Sequence, residues 1–475
     1  MTFTSLEFAA FLAIFFALYW FVFQRSLKWQ NVLILVGSYV FYGWWDWRFL
    51  TLIFLSSLVD FLVGRQMGKT TDERHRKYLL WLSLGVNIGV LGLFKYFHFF
   101  LDNFKLLISP VYDLEAFSTL DILLPVGISF YTLQTLSYTI DVYRRKIEPT
   151  DDAVSFFAFV SFFPQLVAGP IERATSLLPQ FQRQRVFDPA KAADGCRQIL
   201  WGLFKKMVVA DNNGVHFAEM FNDYPNQDGS TLLLSMIVGV VQFYCDFSGY
   251  SDIAIGTGRL LGFDLMKNFD YPFFSRNISE LWQKWHISLI SWFRDYLSPL
   301  LKGHSKPKLA RNIFIIFIIT GFWHGANWTF LLWGFLQALI FMPLLFRKKR
   351  RKFRKPVAHG RVLPTWLELW QMGSTFMTFV LVAIFFYSPT VAEGFGFLGQ
   401  VFSPSLFTIP QRPSFLVSFT LVLFAVEWVQ RTREHGLDFT GRDLSITQRF
   451  GIYFALIFLI VMFGGVPSEF IYFQF

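Results

Sequence analysis

Two histidines stand where titratable rings are rare. The stretch GFWHGANW, residues 321–328, puts His324 and Asn327 inside a run from Asn312 to Phe346 that holds no Asp, Glu, Lys or Arg. The stretch LWQKWHISLISWFRDYL puts His286 38 residues earlier, with Asp295 further along the same segment. A neutral imidazole, with an ordinary pKa of about 6.5, suits proton abstraction at neutral pH. Burial disfavours imidazolium, so a ring in apolar surroundings stays a free base. Asn327 offers an amide to orient His324 or to bind a developing oxyanion, as do the indole N–H groups of Trp323 and Trp328. A structural histidine bonded to a backbone carbonyl, or a transporter, satisfies the His324 pattern as well.

Further polar groups lie in other apolar stretches. YCDFSGYSDIAIG places Asp246, Asp252 and Ser248 at the end of an apolar run, where carboxylates face a cavity or a partner. Asp252 reads as a capping and packing group. Gly249, Gly256 and Gly258 permit close helix packing. LPVGISFYTLQTLSYTIDVYR carries Ser129, Tyr131, Thr132, Gln134, Thr135 and Ser137 through a span, as polar glue or a cavity wall. Cys196 and Cys245 are too few for a disulfide framework, and no cluster suggests a metal.

The elements that must position these groups are membrane helices. Hydrophobic residues are 54% of the 475, including 62 Phe, more apolar surface than a water-soluble domain needs. The apolar runs are continuous rather than alternating, which excludes a β-barrel. MTFTSLEFAAFLAIFFALYWF lacks a basic leader region and reads as a retained first span. The net charge of +10 is loop bias rather than a nucleic-acid surface. The basic loops include Arg65–Lys77, Arg144–Lys146, Lys302–Arg311, Arg347–Lys355 and Arg431–Arg449, and mark the cytoplasmic side; the densest, RKKRRKFRK, is a topology and anionic-lipid anchor.

Crossings near 6–23, 30–47, 48–64, 78–100, 119–142, 196–217, 231–250, 366–388, 414–430 and 450–465 make the sides alternate, with both termini outside. Two stretches break that count. Residues 153–170 have basic flanks on both sides and a Gly-Pro break in FPQLVAGPIER, which predicts a re-entrant segment. Residues 312–346 are also flanked by basic loops. As one helix they would be about 52 Å long, against a hydrocarbon core of about 30 Å. A hairpin bent near Gly321–Asn327 is expected instead, with His324 inside the membrane. From Ile278 to Leu300, Lys284, Ser288, Ser291 and Asp295 fall on one helical face and Trp282, Leu289, Phe293 and Tyr296 on the other, beside Trp285 and His286. That pattern predicts one amphipathic helix in the cytoplasmic interface. The expected architecture is an all-α polytopic membrane protein, a single domain over 1–475, with about 11–12 embedded helical segments plus re-entrant and interfacial helices.

Taken in order, LLPVGISFYTLQTLSYTIDVYR, AGPIER, YCDFSGYSDIAIG, LWQKWHISLISWFRDYL, GFWHGANW and the terminal FIYFQF resemble the membrane-bound O-acyltransferases. The bacterial alginate O-acetyltransferase branch is the nearest in pattern, with teichoic acid D-alanyl transferases and peptidoglycan O-acetyltransferases as relatives. The resemblance implies a helical bundle around a central tunnel, in which a cytoplasmic acyl thioester meets a hydroxyl from the other side. It maps the family's principal histidine onto His324, its second onto His286, and the Asp of the RDY element onto Asp295. Trp323, Trp285, Asn327, Asp246 and Ser248 are expected to support the site or bind substrate. The sequence departs from the family's RDYLYIPLGG pattern at RDYLSPLLKGHSKP, which bears on donor or partner contact. The implied function is O-acetylation of an extracytoplasmic polysaccharide, alginate-like or peptidoglycan, in the bacterial inner membrane. Acetyl-CoA is the implied donor, with no permanently bound cofactor. The acceptor is the glycan or a periplasmic SGNH-type, serine-esterase-like relay protein. Transfer of D-alanine from a carrier protein is the alternative within the enzyme class; a polysaccharide transporter or scaffold is the alternative outside it.

Overall fold

The computed structural model describes residues 1–108, 123–167, 169–303, 305–346, 353, 355–411, 414–465 and 470. Among them there are helices, turns and loops and no strand. Six helical stretches are long and apolar enough to cross a membrane: Leu27–Lys69, Glu73–Ile108, Gly229–Leu260, Trp328–Phe346, Trp366–Tyr387 and Ile446–Phe463. The protein is a multi-pass membrane protein. The Arg347–Lys352 part of the densest basic loop, and residues 471–475 of FIYFQF, lie outside the described residues.

The chain divides into two compact units. The first, mainly residues 1–188, contains α1 (Leu6–Ala17), α2 (Leu27–Asp46), α3 (Leu50–Lys69), α4 (Glu73–Leu91), α5 (Phe97–Ile108) and α6 (Ile128–Tyr143). Short pieces follow: α7 (Ala153–Ser161), α8 (Phe163–Leu166) and α9 (Ala174–Phe181). At about 1.5 Å per residue the nine residues of α7 span about 14 Å, too short to cross a bilayer. The expected re-entrant segment is thus a broken one, with Phe162 and Phe163 buried at the break.

Polar residues on α3, α4 and α6 hydrogen-bond to one another. Asp60, fully buried, accepts hydrogen bonds from Ser83 Oγ at 2.5 Å, Asn87 Nδ2 at 3.0 Å and Thr139 Oγ1 at 3.2 Å. Asn87 Oδ1 in turn accepts from Ser56 and Thr135. These groups satisfy one another inside an apolar bundle, and of the polar residues singled out in the 124–144 segment Thr135 belongs to this network.

The second unit begins with α10 (Pro189–Leu203), a wide π-helical turn over Phe204–Ala210, and α11 (Asp211–Asn222), which run on as one helical stretch. It packs antiparallel against α12 (Gly229–Leu260). A Cβ on Gly249 would stand 2.8 Å from the Gly202 carbonyl oxygen, and one on Gly256 2.5 Å from that of Gly195. Glycines two turns apart on each helix therefore set this close approach.

The expected single helix over Ile278–Leu300 is not there. It breaks into α13 (Ile278–Lys284) and α14 (Ile287–Tyr296), with Trp285 extended and His286 in the left-handed region at φ 45°. Its supposed polar stripe is not a solvated face, since Ser288 and Ser291 are buried. Tertiary hydrogen bonds hold the break open: the Asp270 N–H donates to the Lys284 carbonyl at 2.9 Å, and the Ile287 N–H to the Asn268 carbonyl at 2.8 Å.

The expected hairpin is present. α15 (Lys306–His324) and α16 (Trp328–Phe346) pack antiparallel, with a turn at residues 325–327. Cysteines introduced at Lys306 and Lys355 are therefore expected to react with an impermeant maleimide from the same, cytoplasmic side. Labelling from opposite sides would overturn the hairpin. The unit closes with α17 (Trp366–Tyr387), α18 (Val391–Val401), α19 (Ser414–Gln430) and α20 (Ile446–Phe463).

Candidate active site

His324 is the last residue of α15 and is buried, 4% exposed. Three aromatic rings enclose its imidazole edge-to-face: Trp323 at 5.2 Å between centroids, Trp333 at 5.4 Å and Phe386 at 5.2 Å. The His286 ring lies 6.4 Å away, and Trp323 is also 6.1 Å from His286. The break between α13 and α14 makes this possible. A continuous helix would carry residue 286 along a regular face, whereas the left-handed turn redirects it into the interior, where only 1% is exposed.

His286 has a defined polar support. Its Nδ1 is 3.2 Å from Asn268 Oδ1, and Asn268 is completely buried. The same oxygen accepts from the Ser288 hydroxyl at 2.9 Å and faces the Ser288 backbone N–H at 3.4 Å. Asn268 Nδ2 donates to Ser251 Oγ on α12 at 3.1 Å. Phe247, also on α12, meets the His286 ring edge-on at 4.7 Å. Phe470, the described residue of FIYFQF, packs on Phe247 and Tyr250.

Two pockets of different character flank this segment. One, of about 360 Å³, is walled by Phe243, Trp285, Trp333, Phe379 and Phe386, with His324 and Tyr387 in its lining. The Tyr387 hydroxyl donates to the Gly239 carbonyl at 2.9 Å. The other, of about 330 Å³, is polar: Lys205, Asp252, Lys267, Glu427 and His435 line it together with Ser251 and Asn268. Phe243 and Tyr244 are neighbours on α12, yet Phe243 lines the apolar pocket and Tyr244 the polar one. Both rings lie near Trp285, at 5.8 and 6.1 Å. The Trp285–His286 segment thus stands between an aromatic pocket and a charged one. The pocket beside His324 has the shape and apolar lining that suit a small uncharged group.

Loop residues close the charged side. His435 Nε2 lies 3.2 Å from Asp194, which also takes Arg197 at 2.8 Å and Arg259 at 2.5 Å. Burial pushes the Asp194 carboxyl up, but the hydrogen bond and charge of His435, with Arg197 and Arg259, hold it below its ordinary value.

The model of the membrane-bound O-acyltransferase family, MBOAT, matches residues 45–366, which include both histidines. The chain belongs to that family. It is 40% identical over 328 residues to the probable alginate O-acetylase AlgI of Pseudomonas putida, covering 68% of this chain and 66% of that protein. Over 370 residues it is 35% identical to the peptidoglycan O-acetyltransferase of Helicobacter pylori, covering 71% and 68%. Over 249 residues it is 25% identical to the teichoic acid D-alanyltransferase of Bacillus subtilis, covering 50% and 62%. The chain thus spans just under two thirds of the length of the AlgI relative.

Within this MBOAT chain the structure brings His324, His286, Trp323 and Trp285 together. It does not bring in every residue singled out from the sequence. Asp295 lies about 12 Å further along α14, at 1.5 Å per residue, partly exposed and paired with Arg294 at 2.9 Å. Asn327 sits half-buried in the turn after His324, its N–H bonded to the Gly325 carbonyl. Asp246 is paired with Lys206 at 2.7 Å, and Ser248 accepts from Lys205 at 2.9 Å. Asp252 takes Lys205 at 2.6 Å and the Gln198 amide at 2.8 Å, in the wall of the charged pocket.

Sequence reasoning missed Asn268, Lys205, Lys206, Asp211 and Glu427. The 196–217 crossing stands out by its apolar residues alone. Two adjacent lysines in the middle of that expected crossing were the signal, because charges in an apolar stretch require partners.

Proposed function

We propose that the protein transfers an acetyl group from a cytoplasmic thioester, acetyl-CoA, to a hydroxyl on the far side of a bacterial inner membrane, for O-acetylation of a polysaccharide. The observation that carries this reading is the buried pair of imidazoles, 6.4 Å apart, beside an aromatic pocket. His324 takes the proton of the acceptor hydroxyl as its oxygen attacks the thioester carbonyl. The C–O bond forms, the C–S bond breaks, and the thiolate leaves and recovers the proton from the imidazolium. Holding donor and acceptor end-on in a dry site supplies much of the rate through effective molarity.

The charged pocket supports access of the donor from the cytoplasm. His435, Glu434 and Gly436 in its wall belong to the basic Arg431–Arg449 stretch, which the charge rule assigns to that side. Among the described residues lining the apolar pocket there is no Asp or Glu to receive an ammonium group, which favours acetyl over D-alanyl. The alginate and peptidoglycan relatives support the same choice and a glycan as final acceptor, reached directly or through a periplasmic SGNH-type partner.

Purified full-length protein is expected to release CoA thiol from acetyl-labelled CoA, or to pass the label to an acceptor. Uptake of label into proteoliposomes without turnover would identify a carrier instead. Turnover only of a D-alanyl carrier protein would replace the donor in this reading.

A further inference from the structure

We propose that Asn268 is a positioning residue that fixes His286 in one tautomer, with the proton on Nδ1 and the lone pair on Nε2. This rests on the acyl-transfer reading of the site. A backbone N–H is an obligatory donor, so the Asn268 side-chain atom facing the Ser288 N–H at 3.4 Å is the carbonyl oxygen. The amide nitrogen then points to Ser251 Oγ, at 3.1 Å. An oxygen that also receives the Ser288 hydroxyl at 2.9 Å has only acceptor capacity to offer His286. The Nδ1 nitrogen lies 3.2 Å from it and 3.5 Å from Ser288 Oγ; with the Ser288 proton directed along the shorter, 2.9 Å contact to Asn268, Nδ1 is the donor.

The support is fixed at several points. The Asn268 carbonyl receives the Ile287 N–H at 2.8 Å, across the left-handed turn at His286. One residue thus stabilises the turn that points the ring inward and sets which nitrogen is basic. Asn268 also lines the charged pocket, so it lies between that pocket and the imidazole. The arrangement is second-layer support of the kind that orients histidines in other sites, where the wrong tautomer costs turnover rather than binding.

The test uses Asn268→Leu, close in volume but without an acceptor, and Asn268→Asp, which keeps one. In full-length protein turning over acetyl-CoA, Asn268→Leu is expected to lower kcat by about tenfold or more with little change in donor KM. Added to His286→Ala, it should lower kcat no further. An unchanged kcat, or losses that multiply in the double variant, would overturn the proposal. Asn268→Asp is expected to keep turnover within a few-fold while moving the acid limb of the pH profile upward, because a carboxylate raises the pKa of the imidazole it faces. If Asn268→Leu fails to elute as a monodisperse species, Asn268→Asp decides alone: lost turnover or an unmoved limb refutes the assignment. A wild-type protein that turns over neither acetyl-CoA nor a D-alanyl carrier protein sinks the acyl-transfer reading itself, a different result from any of these.

Discussion

Replacing His324 by Gln is expected to abolish acetyl transfer while leaving the protein folded. A general base contributes about 10²–10⁴-fold, so a loss of at least that order should appear in kcat. Gln is the informative choice because of the packing. Trp323, Trp333 and Phe386 press on the ring from three directions at 5.2–5.4 Å, so Ala opens a cavity that lowers stability as well as activity. Gln fills more of that space and still hydrogen-bonds, but it accepts no proton at neutral pH. A histidine held only for structure tolerates the change. Transfer and melting temperature are measured together in detergent. Near-normal transfer by well-folded His324→Gln protein would sink the mechanism, whereas lost transfer at an unchanged melting temperature supports it.

The hairpin carrying His324 was legible because charge is a long-range rule. Basic residues flanking 312–346 on both sides leave the chain no other way to satisfy the membrane, and the structure turns at residues 325–327. The same reasoning locates the broken 153–170 segment. The break at Trp285–His286 was not legible, because neither residue is Gly or Pro and the polar spacing continues across it. The hydrogen bonds that impose it come from Asn268 and Asp270, distant in register, and no local periodicity encodes them. Asp295 illustrates the converse. The family motif alone points to it, since helical phase sets it on the polar face away from His286, and α14 leaves it partly exposed beside Arg294. Asp246 stands out in the sequence as a carboxylate needing a partner. That partner, Lys206, lies 40 positions away in a span whose apolar residues dominate its pattern.

That pairing sets the largest expected effect on stability. Lys206 is fully buried and bridges Asp211 at 2.6 Å and Asp246 at 2.7 Å, with its ammonium 5.5 Å from the centre of the Tyr250 ring. The π-helical turn at Phe204–Ala210 directs the adjacent Lys205 to a separate pair with Asp252. Lys206→Ala removes the buried cation that Asp211 and Asp246 share. Removing one partner of a buried pair typically costs about 3–5 kcal/mol, a large share of any protein's net stability. The single variant should fail to accumulate or should elute as aggregate. Exchanging the whole group is a different matter, since neutral residues of similar volume carry no charge desolvation. Lys206→Met combined with Asp211→Asn and Asp246→Asn is expected to recover a monodisperse peak and most of the acetyl-CoA turnover, because Asp246 then serves packing rather than chemistry. Two results would contradict this account. A Lys206→Ala protein with wild-type yield and melting temperature would show that the pair does not hold α11 to α12, and a well-folded triple variant without turnover would return Asp246 to the reacting site.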